Sequence, residues 1–566
     1  MLKKFGVLAA LLLAWTALAA GQGVHEIDSL PGLGSAVFAL TGATVHDGTG
    51  QIMEDAVIVI RDGLIEAVGA NLQIPPDARQ IDLSGMHVYP GLIDALTENG
   101  LKGSGQRSQQ GQGQRPGQGR RGPPGGSGSE EENPEGPGLY PHVQAADLLD
   151  DGVGGKLSAW RESGVLSVNV APSEGIFMGQ TALINLGDHE NDQLIVRSPT
   201  AMLLSYQGMG RSYPGSLMGV IAHQRQTLLD ARHYGDAWNI YRSNPRGLQR
   251  PETDRALEAL QPAIGGQLQV IFPANQVRQV RRALAMAADH NLKAIISGGF
   301  EAGQTTDELK QSGVPVIFSL KFPTRPKDQH PDFSEGLAAL RYRINAPKQP
   351  AQLEEAGIRF AFSSGGSRNA GDFLKGMRKV VEEGLAPQAA LRAATLSAAE
   401  ILGADQQLGS VEQGKIANLM VTDKDLFDSS AAVRYVFVDG AKFDIPEKKK
   451  PTSKEGGEGL PVDVAGLWDV EVFTPEGSQS MQFDLQVSGT TLSGQVISPM
   501  LGEIEILDGT VEGASFSFKI SVDMGSGPLD ISISGTVSGN EMDGSADVAG
   551  QGSAPLEGRK APGRGR

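Results

Sequence analysis

Residues 268–297 read LQVIFPANQVRQVRRALAMAADHNLKAIIS, and they set the fold class. A short apolar run, Leu268 to Phe272, gives way to a segment in which Val277, Val280 and Leu284 recur at helical spacing. A second apolar run, Lys293 to Ser297, follows directly. Short buried strands separated by a helix are the signature of a parallel βα unit.

The pattern continues downstream. A helix carrying Asp307, Glu308 and Leu309 leads to VPVIFSL at 314–320, and RFAFS at 359–363 precedes helices over 373–381 and 387–394. Upstream, order of this kind begins near Tyr140. Outside these limits the periodicity changes to two. VFALTGATVHDGTG at 37–50, DAVIVIRDGLIEAVG at 55–69 and HVYPGLIDA at 87–95 alternate and turn often, with Asp62-Gly63 as a hairpin signal. LGSVEQGKIANLMVTD at 408–423 and AVRYVFVDGAKF at 432–443 return to the same β character. Neither β segment has enough strands to bury a face by itself, so the two are expected to pair.

Two polar stretches interrupt the chain. Residues 101–138 are dominated by Gly, Gln, Pro, Arg and Ser, which cannot offset the entropy of ordering, and a disordered insertion is expected there. PEKKKPTSKEGGEGLP at 446–461 reads as a linker. Beyond it, 462–558 alternates in short runs (Met481, Phe483, Leu485, Val487; Phe516, Phe518, Ile520, Val522), and GTVEG at 509–513 recurs as GTVSG at 535–539. An antiparallel barrel or sandwich is expected.

The 566 residues carry a net charge of −17, which disfavours nucleic acid as a partner. MLKKFGVLAALLLAWTALAAGQ at the start has a basic n-region, an apolar core shorter than a membrane span needs, and Ala17-Leu18-Ala19 as a cleavage motif. A signal peptide over 1–19 and export to the periplasm or beyond the cell are expected. The chain has no Cys, which excludes disulfides, thiolate metal sites and Cys nucleophiles.

The β unit, Pro90-Gly91-Leu92-Ile93-Asp94-Ala95, the barrel-like middle and Gly409-Ser410-x-x-x-Gly414-Lys415-x-Ala417-x-Leu419 occur in an order that resembles the amidohydrolase superfamily, in particular its imidazolonepropionase-like exported members. The resemblance implies a (β/α) barrel over 91–402. It also implies a flanking β subdomain assembled from 36–90 and 403–445, and hydrolysis of non-peptide C–N bonds in cyclic amides with zinc or another divalent ion.

The family's ligands, however, are missing. Its first barrel strand ends in D-A-H-x-H, whereas this chain reads Asp94-Ala95-Leu96-Thr97-Glu98. Leu96 and Glu98 therefore stand at two ligand places. Pro273 stands at the fifth-strand His, Gly298 at the sixth-strand His, and Gly365 at the eighth-strand Asp that serves as general base. One carboxylate cannot hold a catalytic zinc. His46, His87, His223, His233 and His290 read as surface or satisfied histidines. Ser363 and Ser364 lack a nucleophile elbow, and GGF at 298–300 with GQTT at 303–306 lacks the GK[ST] of a phosphate loop. No metal or cofactor is expected. The residues argue for a ligand-binding or assembly protein on an inactive barrel, with a small molecule or a protein as partner, while the resemblance alone argues for an active hydrolase.

Overall fold

The computed structural model describes residues 37–102, 136–210, 212–325, 335–445, 464–474, 477–498, 502–512, 515–523, 528–539, 541–548 and 552–560. The chain forms two compact units, 1–447 and 448–566. The expected signal segment 1–19 and linker 446–461 lie outside the described residues. So does most of the expected disordered insertion. Its two ends are built in, however, and this narrows the segment. Leu101 is buried and bridges Leu149, Lys102 N donates to Leu148 O, and Gly138 O accepts from both Ile176 N and Phe177 N.

One sheet joins both ends of the first unit. Strands Phe38–His46, Ile52–Arg61 and Leu64–Ala70 form an antiparallel meander whose second turn places Asp62 and Gly63 at positive φ. The twist of such a turn matches that of its strands. Strand His87–Pro90 runs parallel to Phe38–His46 and antiparallel to Leu419–Thr422, which pairs in turn with Val433–Val438. Leu419 lies opposite Pro90 and Thr422 opposite His87. The core beneath mixes both arms, with Leu40, Val45, Ile58 and Val88 from one and Leu419, Val421 and Phe437 from the other. The flanking β subdomain is thus made of both ends.

The barrel has eight staves. They are Leu92–Thr97, Val165–Val170, the bent strand Phe177–Gln180 with Ala182–Asn185, Ala201–Leu204, Gln269–Ala274, Ala294–Gly298, Val316–Ser319 and Phe360–Ser363, the last lying against the first. Alternation sorts their side chains. Ile271, Ile295, Ile317 and Ala361 point inward with Ile93, Leu183 and Leu203, while Val270, Phe272, Ile296, Phe318 and Phe362 point outward to the helices. The third stave departs from the all-parallel expectation and runs antiparallel to both neighbours. Its connection from the second stave spans only 171–176, too short for a parallel crossover.

Helix Val277–His290 shows how sequence sets these units. Gln276 and Gln279 form a capping box at its start, and Asn291 takes the left-handed conformation at its end. Its buried face is Val280, Ala283, Met286, Ala287 and His290, with Val277 and Leu284 only half-buried on the flank, a modest rotation from the expected stripe.

The second unit is a nine-stranded antiparallel sheet that closes on itself, because Gly477–Ser488 pairs with both Gly466–Thr474 and Thr491–Ser498. Trp468, Phe483, Phe516, Phe518, Met542 and Leu556 fill it. The Trp468 indole N–H donates to Val464 O at 3.0 Å, satisfying its one polar atom.

Candidate functional site at the mouth of the barrel

The carboxyl ends of barrel strands converge on one face, where barrel enzymes assemble their reaction centres. Here the inward positions just above the apolar layer are Ser297, Ser319 and Ser363, two residues beyond Ile295, Ile317 and Ala361, and all three are buried. Ser319 and Ser363 are register partners, as are Pro273 and Ser297. Lys321 N donates to Ser319 Oγ at 3.3 Å, and Ser364 Oγ donates to Thr97 Oγ1 at 3.4 Å. The floor of the mouth is therefore a layer of neutral hydroxyls. Period-two alternation carried one step past each apolar run would have found them.

Held by the backbone of Ser364, next to Ser363, is Asp94, fully buried. Its Oδ1 accepts from Ser364 N at 2.9 Å and from Leu96 N at 3.3 Å. Its Oδ2 has no partner at hydrogen-bond geometry, although the Ser364 and Thr97 hydroxyls lie near enough to favour its charge. Loss of hydration dominates, and the carboxyl is pushed up to about 6.

Of the five positions singled out in the sequence, Leu96 is half-buried against the inner core, and Glu98 is exposed just beyond the first stave. Glu98 lines a cavity of about 500 Å³ with Asn99, Lys102, Tyr140, Glu174 and Arg368. Gly366 reaches this lining, whereas Leu96, Pro273, Gly298 and Gly365 are not part of it. Pro273 is exposed near the end of the fifth stave.

Gly298 and Gly365 are the informative pair. Gly298 has φ +100 and Gly365 φ +61, backbone that L side chains rarely adopt. A Cβ at 298 would overlap Asn275 Oδ1, itself buried without a partner, and a Cβ at 365 would overlap Ser319 Oγ and approach Lys321 Cβ to 2.8 Å. Both ligand places are thus occupied by neighbouring side chains. A divalent ion needs several N or O donors converging within about 2.0–2.2 Å. The described residues at the mouth and its cavity offer three carboxylates, Asp94, Glu98 and Glu174, and no imidazole, which does not fit the family's metal.

Re-inserting the missing ligands should therefore be costly. Gly365→Asp and Gly298→His are each expected to destabilise by about 2–4 kcal/mol, from left-handed backbone plus overpacking. Chemical denaturation of the single variants checks this, and a variant as stable as the parent would show that the spaces are open after all.

The amidohydrolase family model matches residues 272–442, from the end of the fifth stave to the last strand of the β subdomain. Over this segment and in its fold the chain is similar to the amidohydrolase superfamily. Relatives that resemble this chain include the imidazolonepropionase of Acinetobacter baumannii, 23% identical over 402 residues, and that of Pseudomonas entomophila, 24% identical over 415 residues. Each alignment covers 67% of this chain and 90% of the relative. An amidohydrolase from Thermotoga maritima has the same fold, with a TM-score of 0.58 at 22% identity, covering 72% of this chain and all of that one. The family's coarse kind is that of C–N hydrolases.

Proposed function

We propose that this amidohydrolase-superfamily barrel binds a small polar molecule at its mouth and does not hydrolyse it. One observation carries the reading: at 298 and 365 the backbone sits at positive φ and Asn275 and Ser319 fill the side-chain space. A single lost ligand could be restored by one substitution, but a rebuilt wall cannot. What remains at the mouth is hydrogen-bonding surface, with the hydroxyl layer below and a cavity of mixed charge beside it, Glu98 and Glu174 against Lys102 and Arg368. That lining suits a small ligand carrying both charges. The basic and apolar start of the sequence supports a setting outside the cytoplasm.

A second reading, an active hydrolase of cyclic amides with an atypical site, is favoured by the family resemblance and by the exposed Glu98 carboxylate in the cavity. Turnover separates the two. The purified full chain is expected to leave five-membered cyclic amides unhydrolysed, with Zn²⁺, with Mn²⁺ and with chelator. Turnover that a chelator or Glu98→Gln abolishes would establish the second reading and overturn the first.

A further inference from the structure

The strand ends of the β subdomain hold a cluster that barrel chemistry does not use. His46 ends the strand Phe38–His46, His87 begins the strand His87–Pro90, and Asp425 lies just past Leu419–Thr422. The backbone pairing that joins the two chain ends brings all three together, with one donor atom from each within 4.8 Å of the others. We propose that His46, His87 and Asp425 form a zinc site that staples the amino-terminal and carboxy-terminal arms of the β subdomain.

The geometry suits the ion. His46 Nε2 and His87 Nδ1 are 3.2 Å apart. Two Zn–N bonds of about 2.05 Å spanning that separation subtend about 103°, close to the tetrahedral angle. Two imidazoles and a carboxylate are a borderline N/O set that favours zinc over the harder alkaline-earth ions, and water takes the fourth place. Without an ion, the same two nitrogens make an N–H···N hydrogen bond. With one, each neutral ring keeps its single proton on the other nitrogen, His46 Nδ1 and His87 Nε2, and no proton is lost from the pair.

Surrounding residues hold the donors in place. The Tyr89 ring stacks on His46 at 4.3 Å between centroids, and its hydroxyl donates to Asp425 Oδ2 at 3.3 Å while accepting from Leu426 N at 3.0 Å. Phe427 N donates to Asp425 Oδ1, and the Arg378 guanidinium grips Leu426 O and Ser429 O. Tyr89 and Asp425 are 336 residues apart in sequence, so the loop is fixed against the first arm by tertiary contacts. Such outer partners orient ligands and set their affinity. Asp425 itself is exposed, so its carboxylate is free to turn further toward the two nitrogens. Asp47, next to His46, is no competitor, because Thr49, Gly50 and Gln51 already engage its carboxylate.

The test is Zn²⁺ alone, titrated calorimetrically into the chelator-treated full chain, with the melting temperature read in parallel. One equivalent should bind at micromolar or better affinity and raise the melting temperature. His87→Gln and Asp425→Asn should each weaken that binding tenfold or more, while Glu98→Gln at the barrel mouth leaves it unchanged. The Asp425 variant alters an exposed side chain, so it keeps the test meaningful if a histidine variant misfolds. Absence of stoichiometric binding by the parent chain, or binding that survives both variants, overturns the proposal. Binding lost in Glu98→Gln instead would overturn it too, and would place the ion at the barrel mouth.

Discussion

A chain cut to residues 91–402 should emerge without a cooperative unfolding transition. The barrel's amino-terminal end is completed by the carboxy-terminal arm. Asn418 donates to Ser167 Oγ at 3.2 Å and to Asn185 Oδ1 at 2.9 Å, and Asn185 Nδ2 donates to Asp439 Oδ1 at 2.6 Å. Ser167 and Asn185 are both buried. Removing Asn418 and Asp439 strips partners from buried polar groups at about 1–3 kcal/mol each. The cut also removes Met420, Val436 and Val438, which belong to the same apolar cluster as the outer faces of the staves. It further removes Phe443, whose ring lies 3.9 Å from the Arg161 guanidinium carbon. Against a total stability of about 5–15 kcal/mol, losses of this size leave no folded state. Calorimetry and near-ultraviolet circular dichroism on the fragment decide the matter. A sharp transition with native aromatic signals would show that the barrel stands without its β subdomain.

The barrel was legible in the sequence because its two periods are local. Runs such as Leu268–Phe272 and the helix after them declare themselves within thirty residues. The pairing of the chain ends was legible for a different reason, since two half-sheets each too small to bury a face require one another. Strand direction was harder. Alternation reads the same whichever way a strand runs, so Phe177–Asn185 looks like any other stave. Only the short connection 171–176 betrays its reversal. At the mouth, the sequence named the positions where ligands were missing, but what fills them comes from neighbouring staves. Asn275 stands in the way at 298 and Ser319 at 365, and neither lies within a motif that local spacing would pick out. Asp94 was quoted in the first-stave motif without its burial being foreseen. The His46, His87 and Asp425 cluster was illegible for the same reason in stronger form. Its members are scattered along the chain, and the histidines read singly as unremarkable surface or satisfied groups.

Asp94→Asn should stabilise the chain at neutral pH by about 1–3 kcal/mol, and the gain should vanish in acid. The folded-state carboxyl sits at about 6, against an ordinary 3.8. Well below pH 3.8 it is protonated in both the folded and unfolded chain, and burial then costs nothing in charge. As pH rises through 3.8 the unfolded chain ionises freely while the folded one resists, so stability falls. The fall ends near pH 6, where Asp94 ionises in the folded chain as well. A shift of this size corresponds to about 3 kcal/mol of stability lost across that window. Asparagine keeps the Oδ1 acceptor for Ser364 N and Leu96 N, and its amide can donate to the Thr97 or Ser364 hydroxyl. Other carboxylates, Glu412 and Asp423 among them, are held below their ordinary range and tilt total stability the opposite way. The quantity to measure is therefore the difference between parent and variant, by urea denaturation at pH 4, 5, 6 and 7.5. A difference that does not change with pH, or a variant weaker than the parent at pH 7.5, would mean that Asp94 is stabilised by a charge at the mouth. Repeating the series with Zn²⁺ sharpens the point. A divalent ion close to Asp94 would hold it ionised and erase the difference's dependence on pH, whereas an ion on the His46 and His87 pair would leave that difference intact and raise parent and variant equally at each pH where the imidazoles are free to bind it.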